Sequence, residues 1–359
     1  MPTIFIDGSQ GTTGLCLRER VEARSDLILL ALPEEHRKSL PHRVAMAQKA
    51  DITFLCLPDE ASRELVNAIG WPKVADPPFL PATTDGVGEE VGLASGGCTA
   101  GNAGLNAGST GVTVIDASTA HRLDPGFIYG FPELGEKFQN AIQKAGRIAV
   151  PGCHASGAVA LLYPLLKERL LAPGAPISIT SITGYSGGGK AMIASYQASD
   201  RDPALALARP YGVGQTHKHL AEITKICGLR RPPVFQPIVC DFYSGMLVSV
   251  PLAREWFSSM GVAGARNRGG VDILTNLFRE YYAGQKLISV LTPNREAYVN
   301  PCALAGLDGM QIFITGNDDR MIAYARLDNL GKGASGAAIQ CMNLRLGIPM
   351  ETGLVYRRR

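Results

Sequence analysis

Short apolar runs alternate with amphipathic stretches through roughly the first 150 residues, the pattern of βαβ units laid on a parallel sheet. Thr3–Ile6 reads as a strand, followed by a tight turn over Gly8–Gly14 and a helix over Leu15–Ala23. Leu27–Leu32 and Ile52–Leu57 are further strands, with a helical stretch, His42–Ala50, between them. Asp59 is placed to N-cap a helix over Glu60–Ile69. Val112–Ile115 is another buried strand, and Arg147–Val150 leads into a Pro-Gly-Cys turn. Between Lys73 and Gly111 the pattern lapses into Gly, Ala, Thr and Pro without a period, so a flexible surface insertion is expected there.

After residue 153 the texture changes. Ile177–Thr183, Met246–Val250, Leu287–Leu291 and Met310–Thr315 are β-rich, and Asp272–Tyr282 is helical. This predicts an α+β unit on a mixed or antiparallel sheet. Ala334–Leu346 is a helical pattern after a glycine-rich turn, placed to pack back on the first domain. The expected fold class is therefore α/β, with a parallel sheet over about the first 150 residues and an α+β unit on a mixed sheet after residue 153.

Composition narrows the function classes. A chain of 359 residues with 46% hydrophobic and 19% charged residues is an ordinary globular protein. Its net charge of +3 gives no reason to invoke nucleic acid, though it suits a pocket for anionic ligands. The 8 cysteines form no CxxC pair and sit mostly in apolar runs, which points to reduced thiols. The N-terminus enters a strand directly, and no run is long enough to span a membrane. A cytoplasmic protein acting on a small molecule is expected.

Gly8, Gly11 and Gly14 have the spacing G-x-x-G-x-x-G between a strand and a helix, which admits a pyrophosphate to a helix N-terminus or serves as a plain turn. Arg37 and Lys38, after the second strand, could hold a 2′-phosphate and so favour NADP, or be solvated loop charges. Cys153 falls near a helix N-terminus, where the dipole favours thiolate, although a cysteine at such a turn is often just a small buried residue. His219 and Glu222, at i and i+3, share a helix face, so His219 could shuttle a proton or merely begin a helix. No further ligand at recognisable spacing makes His217 and His219 a metal site, so no metal is expected. Gly184–Lys190 lacks the P-loop pattern because Ala191 follows the lysine, which disfavours kinase or ATPase chemistry. Arg122 could grip a phosphate or carboxylate, or pair at the surface.

Seven strings taken in order give a specific resemblance. They are Phe5-Ile6-Asp7-Gly8 with Gly11-Thr12-Thr13-Gly14, Asp116–Arg122, Tyr129–Leu134, Pro151-Gly152-Cys153, Gly184–Lys190, His217-Lys218-His219 and Leu327–Gly336. Together they resemble the shorter branch of the N-acetyl-γ-glutamyl-phosphate reductase family, within the semialdehyde-dehydrogenase group, over nearly the whole chain except 73–111. The resemblance implies Cys153 as nucleophile, His219 as general acid/base, and Arg122 as the residue binding the leaving phosphate. Cofactor contacts are expected from Gly8, Gln10, Gly11, Thr12, Thr13, Gly14, Arg37, Leu57 and Pro58, while the resemblance implies nicotinamide contacts from Ser186, Gly187 and Asn329. It also implies a Rossmann-type domain over 1–152 with the C-terminal segment from about 330 to 359, and a catalytic and oligomerisation domain over 153–329. Ser156, His217 and Glu222 are the remaining substrate candidates, with Lys190 and Arg209 as candidates for a substrate carboxylate. The implied cofactor is NADP and the implied assembly a homodimer or homotetramer.

The chain departs from the family where Asn usually precedes Pro-Gly-Cys and Tyr-Pro usually follows: it has Val150, His154 and Ala155. The loss of that asparagine bears on oxyanion or substrate positioning. Two rivals follow, a reductase of another semialdehyde such as aspartate semialdehyde, and a silent NADP-binding homologue.

Overall fold

The computed structural model describes residues 1–70, 111–257, 269–292 and 298–357. The insertion expected at Lys73–Gly111 lies, save for Gly111, outside the described residues. The N-terminal part runs β1 (Thr3–Asp7), α1 (Thr12–Glu22), β2 (Ile28–Leu30), α2 (Leu40–Lys49), β3 (Ile52–Leu55), α3 (Asp59–Ile69), β4 (Thr113–Asp116), β5 (Ile128–Tyr129), α4 (Glu136–Lys144) and β6 (Arg147–Ala149). Among the described residues its six strands form one sheet in the order β2-β1-β3-β4-β6-β5, each pairing parallel. A parallel sheet needs cover on both faces, and the near-continuous apolar strands supply two cores. One core joins Ile4, Phe54 and Ile115 to α1 and α4; the other joins Phe5, Leu55 and Val114 to α2 and α3.

From β1 the chain steps to β2 on one side and then returns to β3 on the other. That reversal opens a crevice beyond the carboxyl ends of β1 and β3, the place where open α/β sheets bind ligands. Two glycines shape its floor. Gly8, at φ +84°, lies where a Cβ would meet the Cys56 carbonyl oxygen at 2.3 Å, and a Cβ on Gly14 would meet the Gly8 oxygen at 2.2 Å.

The remainder is α5 (Cys153–Lys167), β7 (Ser178–Gly184), α6 (Gly189–Gln197), β8 (Arg209–Pro210), α7 (Lys218–Cys227), β9 (Val234–Cys240), β10 (Met246–Ala253), α8 (Gly270–Tyr281), β11 (Ile288–Val290), β12 (Met310–Gly316), β13 (Arg320–Leu327) and α9 (Gly336–Arg345). Among the described residues its seven strands order as β11-β12-β13-β10-β7-β9-β8, parallel at β11/β12 and β7/β9 and antiparallel at the other pairs, so the sheet is mixed as expected. α5, α7 and α8 pack on it through Leu161, Ile223 and Phe278. α5 lies close enough that a Cβ on Gly157 would meet Val248 Cγ2 at 2.5 Å. α9 instead packs on the parallel sheet, through Ala338, Ile339 and Met342. A buried ion pair, Lys332 Nζ to Glu133 at 2.7 Å, ties the turn before α9 to the segment after β5. No helix among the described residues is long and apolar enough to cross a membrane.

One local expectation is corrected. Asp59 does not cap α3: Pro58 stands at the N-cap without a side-chain cap bond, and Asp59 is the first helical residue. Its carboxylate accepts from the Thr119 amide at 3.0 Å, linking α3 to the loop after β4.

Candidate active site

β6 runs through Val150 and Pro151 to Gly152, the N-cap of α5, so Cys153 is the first residue of that helix. The cysteine opens into a cavity of about 620 Å³ between the two sheets, within the range of small-molecule sites. Its wall includes Gly11, Thr12 and Thr13 from the glycine turn, Leu57 and Pro58 after β3, and Arg122, Ser186, Gly187 and Asn329. His154, His217 and His219 join Cys153 on that wall. Residues scattered over more than 300 positions of sequence thus meet at one opening.

Glu222 holds this arrangement from below. It is 1% exposed, and its carboxylate accepts from Tyr129 Oη at 2.8 Å, the Gly152 amide at 2.9 Å and Arg122 Nη1 at 3.2 Å. Arg122 also donates to the carbonyls of Val150 at 2.9 Å and Ala117 at 3.3 Å. Three of its five N–H groups are so engaged, which leaves donors for a ligand in the cavity. A Cβ on Gly152 would stand 2.2 Å from His219 Nε2 and 2.5 Å from Arg122 Nη1. Only glycine at 152 lets the His219 imidazole and the Arg122 guanidinium approach the backbone beside Cys153 this closely.

Not every predicted residue reaches the cavity. Glu222 and Ser156 are buried away from it, the Ser156 hydroxyl donating to the Gly152 carbonyl at 3.0 Å. Both support the turn that carries Cys153 and are not placed to touch substrate. Gly8 and Gly14 shape the loop by close packing, and Gln10 is exposed outside the cavity wall. Arg37 lies beyond the end of β2, 3.3 Å from Glu34, and also outside the wall. Lys190 lines the cavity whereas Arg209 turns to Tyr196 Oη at 2.8 Å. Sequence reasoning missed Lys218 and Tyr211, both on the wall. Lys218 stood between the two histidines of a string valued only for its imidazoles.

The electrostatics correct a second expectation. Burial pushes the Cys153 thiol up from its ordinary value, against the opposing pull of Arg122, the His154 amide and Lys218. The helix N-terminus therefore does not by itself hold a thiolate here: desolvation outweighs it. Burial, helped by Arg122, likewise holds His219 well below the ordinary histidine range. The resting pair is a thiol beside a neutral imidazole, in which His219 is free to accept a proton.

His154 is braced by Ser181 Oγ and Tyr211 Oη, both at 2.7 Å. Burial pushes its pKa from 6.5 down to about 3, with His217 adding to the shift. Such a histidine binds a proton in the unfolded chain but not in the folded one. Its contribution to stability is present above pH 6.5 and is lost as pH falls towards 3. His154→Gln is expected to flatten the decline in urea-unfolding stability between these pH values, with His217, His219 and the ion-paired carboxylates Asp26, Asp241 and Glu351 supplying the slope that remains. An unchanged slope would count against this.

The site also tests its fit to a dinucleotide. The Thr12 and Thr119 hydroxyls are buried on the cavity wall without a hydrogen-bond partner, and α1 begins without a side-chain cap. Uncapped amides and orphaned hydroxyls beside a strand-end crevice match an anion such as a pyrophosphate. Deeper in, Asn329 donates to Ser186 Oγ at 2.9 Å and accepts from the Gly245 amide at 2.9 Å, which fixes the amide at the cavity edge.

Comparisons with known proteins agree with this layout. Residues 153–329 match the model of the semialdehyde dehydrogenase dimerisation domain. The fold is similar to solved aspartate semialdehyde dehydrogenases: the Vibrio cholerae form II enzyme complexed with ASA, at a TM-score of 0.62 and 15% identity over 97% of this chain and 98% of that one, and the Candida albicans enzyme with NADP, at 0.56 and 14% over 96% and 98%. Curated relatives are nearer. The Brucella ovis N-acetyl-gamma-glutamyl-phosphate reductase is 38% identical over 96% of this chain and 99% of its own length, and the Sinorhizobium medicae reductase is 37% identical over the same shares. Reductase 2 of Nostoc sp. is 34% identical over 98% and 99%. With a cysteine at the head of a helix, an imidazole over it and end-to-end relatives of one name, this chain belongs to the N-acetyl-γ-glutamyl-phosphate reductase family.

Proposed function

We propose that the chain reduces N-acetyl-γ-glutamyl phosphate to N-acetylglutamate 5-semialdehyde and phosphate, with NADPH, in arginine biosynthesis. The observation that carries this reading is the convergence of Cys153, His219 and Arg122 around Gly152, with the orphaned Thr12 and Thr119 hydroxyls on the same cavity wall. Arg122, with Lys218 and Lys190, gives the cavity a cationic wall for a substrate bearing both a carboxylate and a phosphate.

His219 takes the Cys153 proton as the sulfur attacks the acyl carbon, so the thiolate forms only when substrate is in place. Arg122 and Lys218 hold the phosphate as the C–O bond breaks, leaving a thioester on Cys153. Gly11, Thr12, Thr13 and Thr119 would hold NADPH at the cavity wall, and the bound cofactor would supply the hydride that reduces the thioester. His219 returns its proton as the thiohemiacetal collapses to aldehyde and free thiol. Val150 stands where the family usually has asparagine, yet the position still acts through its backbone, whose carbonyl anchors Arg122 at 2.9 Å. We assign residues 1–152 and 330–359 to dinucleotide binding, and 153–329 to the catalytic and oligomer-forming unit of a homodimer or homotetramer.

Phosphate-dependent reduction of NADP, with N-acetylglutamate 5-semialdehyde and aspartate semialdehyde in parallel, tests the assignment. Preference for the acetylated substrate is expected. Preference for aspartate semialdehyde would move the chain to the other substrate class, and no reduction of either would overturn the reductase reading.

A further inference from the structure

Cys153, His154 and His219 line the cavity, and one donor atom of each lies within 4.8 Å of the other two. One sulfur and two imidazole nitrogens at that spacing suit a tetrahedral, borderline-soft divalent cation, whereas magnesium and calcium require oxygen ligands. Two observations beyond proximity point the same way. The His219 ring is 4% exposed, yet its Nδ1 has no hydrogen-bond partner. His154 Nδ1 is held by Ser181 Oγ at 2.7 Å, the kind of outer contact that orients metal-binding histidines, while its Nε2 meets only the Tyr211 hydroxyl.

The cavity has room for water as a fourth ligand, and of the two cations that act on Cys153 and His219, Arg122 and Lys218, Arg122 is matched by Glu222 at 3.2 Å. We propose that Cys153, His154 and His219 form a reversible Zn²⁺ site, one ion per chain, whose occupation ties up the Cys153 sulfur and closes the cavity to acyl substrates. Binding moves Tyr211 off His154 Nε2 and leaves Ser181 in place. The site stands on the geometry of the three side chains and does not depend on which acyl substrate the cavity takes.

Equilibrium dialysis of the full chain against Zn²⁺ alone is expected to give one bound ion. Co²⁺ in its place is expected to show a thiolate-to-cobalt charge-transfer band, which Cys153→Ser removes. His154→Phe and His219→Asn should each weaken Zn²⁺ binding by at least about tenfold, with folding of each variant checked by circular dichroism. Should one of the two fail to fold, the other carries the same expectation. Tyr211→Phe should bind Zn²⁺ at least as tightly as the parent, because nothing then competes for His154 Nε2. A parent chain that binds no Zn²⁺, or a folded His154 or His219 variant that binds it as tightly as the parent, overturns the proposal.

Discussion

Cys153→Ala is expected to lower acyl-phosphate reduction by at least about 10⁴-fold, because it removes the sulfur on which the thioester forms. The substitution is structurally mild. It keeps the Cβ that packs against Gly333, removes only the sulfur, and leaves the glycine turn and the Thr12 and Thr119 hydroxyls untouched. NADPH affinity, read by quenching of protein fluorescence, should therefore stay within a few-fold of the parent. A variant with appreciable turnover would place the nucleophile elsewhere. One that loses NADPH binding along with turnover would show a disturbed cavity and leave Cys153 without its assigned role.

The second large effect is expected at Gly152. Its backbone, at φ −71° and ψ 151°, is one any residue adopts, so Gly152→Ala should fold. The added methyl, however, has nowhere to go. His219 Nε2 and Arg122 Nη1 stand 2.2 and 2.5 Å from it, and Arg122 is held at the Val150, Ala117 and Glu222 oxygens. Displacing base and cation together by about an ångström should cost on the order of 100-fold in kcat/KM or more. Steady-state kinetics with a thermal melt separate this from instability. A stable variant within a few-fold of the parent would show that the His219–Gly152–Arg122 closure has no part in turnover.

Much of this was legible in the chain itself. The parallel sheet follows from short apolar strands spaced by amphipathic stretches, and the glycine turn from its place between β1 and α1. Other parts were hidden for identifiable reasons. Glu222 gathers Tyr129, Gly152 and Arg122 from 93, 70 and 100 residues away. No local pattern marks a carboxylate as an internal anchor, so from sequence Glu222 is indistinguishable from a substrate contact. Strand β9 contains Pro237, which argues against a central strand. Its neighbour β8 pairs over only two residues, and the Tyr211 amide beyond them takes just the Pro237 carbonyl, so the missing N–H costs little on that side. Protonation of Cys153 depends on how deeply the sulfur is enclosed, which a helix-terminus argument does not contain.

The central claim is that the acyl group passes through the Cys153 sulfur, and intact-protein mass spectrometry reads this directly. With N-acetylglutamate 5-semialdehyde and NADP present and phosphate withheld, the account predicts one N-acetylglutamyl adduct per chain, mapping to the peptide that holds Cys153 and discharged when phosphate is added. A chain that turns over substrate with no adduct, or with the adduct on another residue, would contradict it.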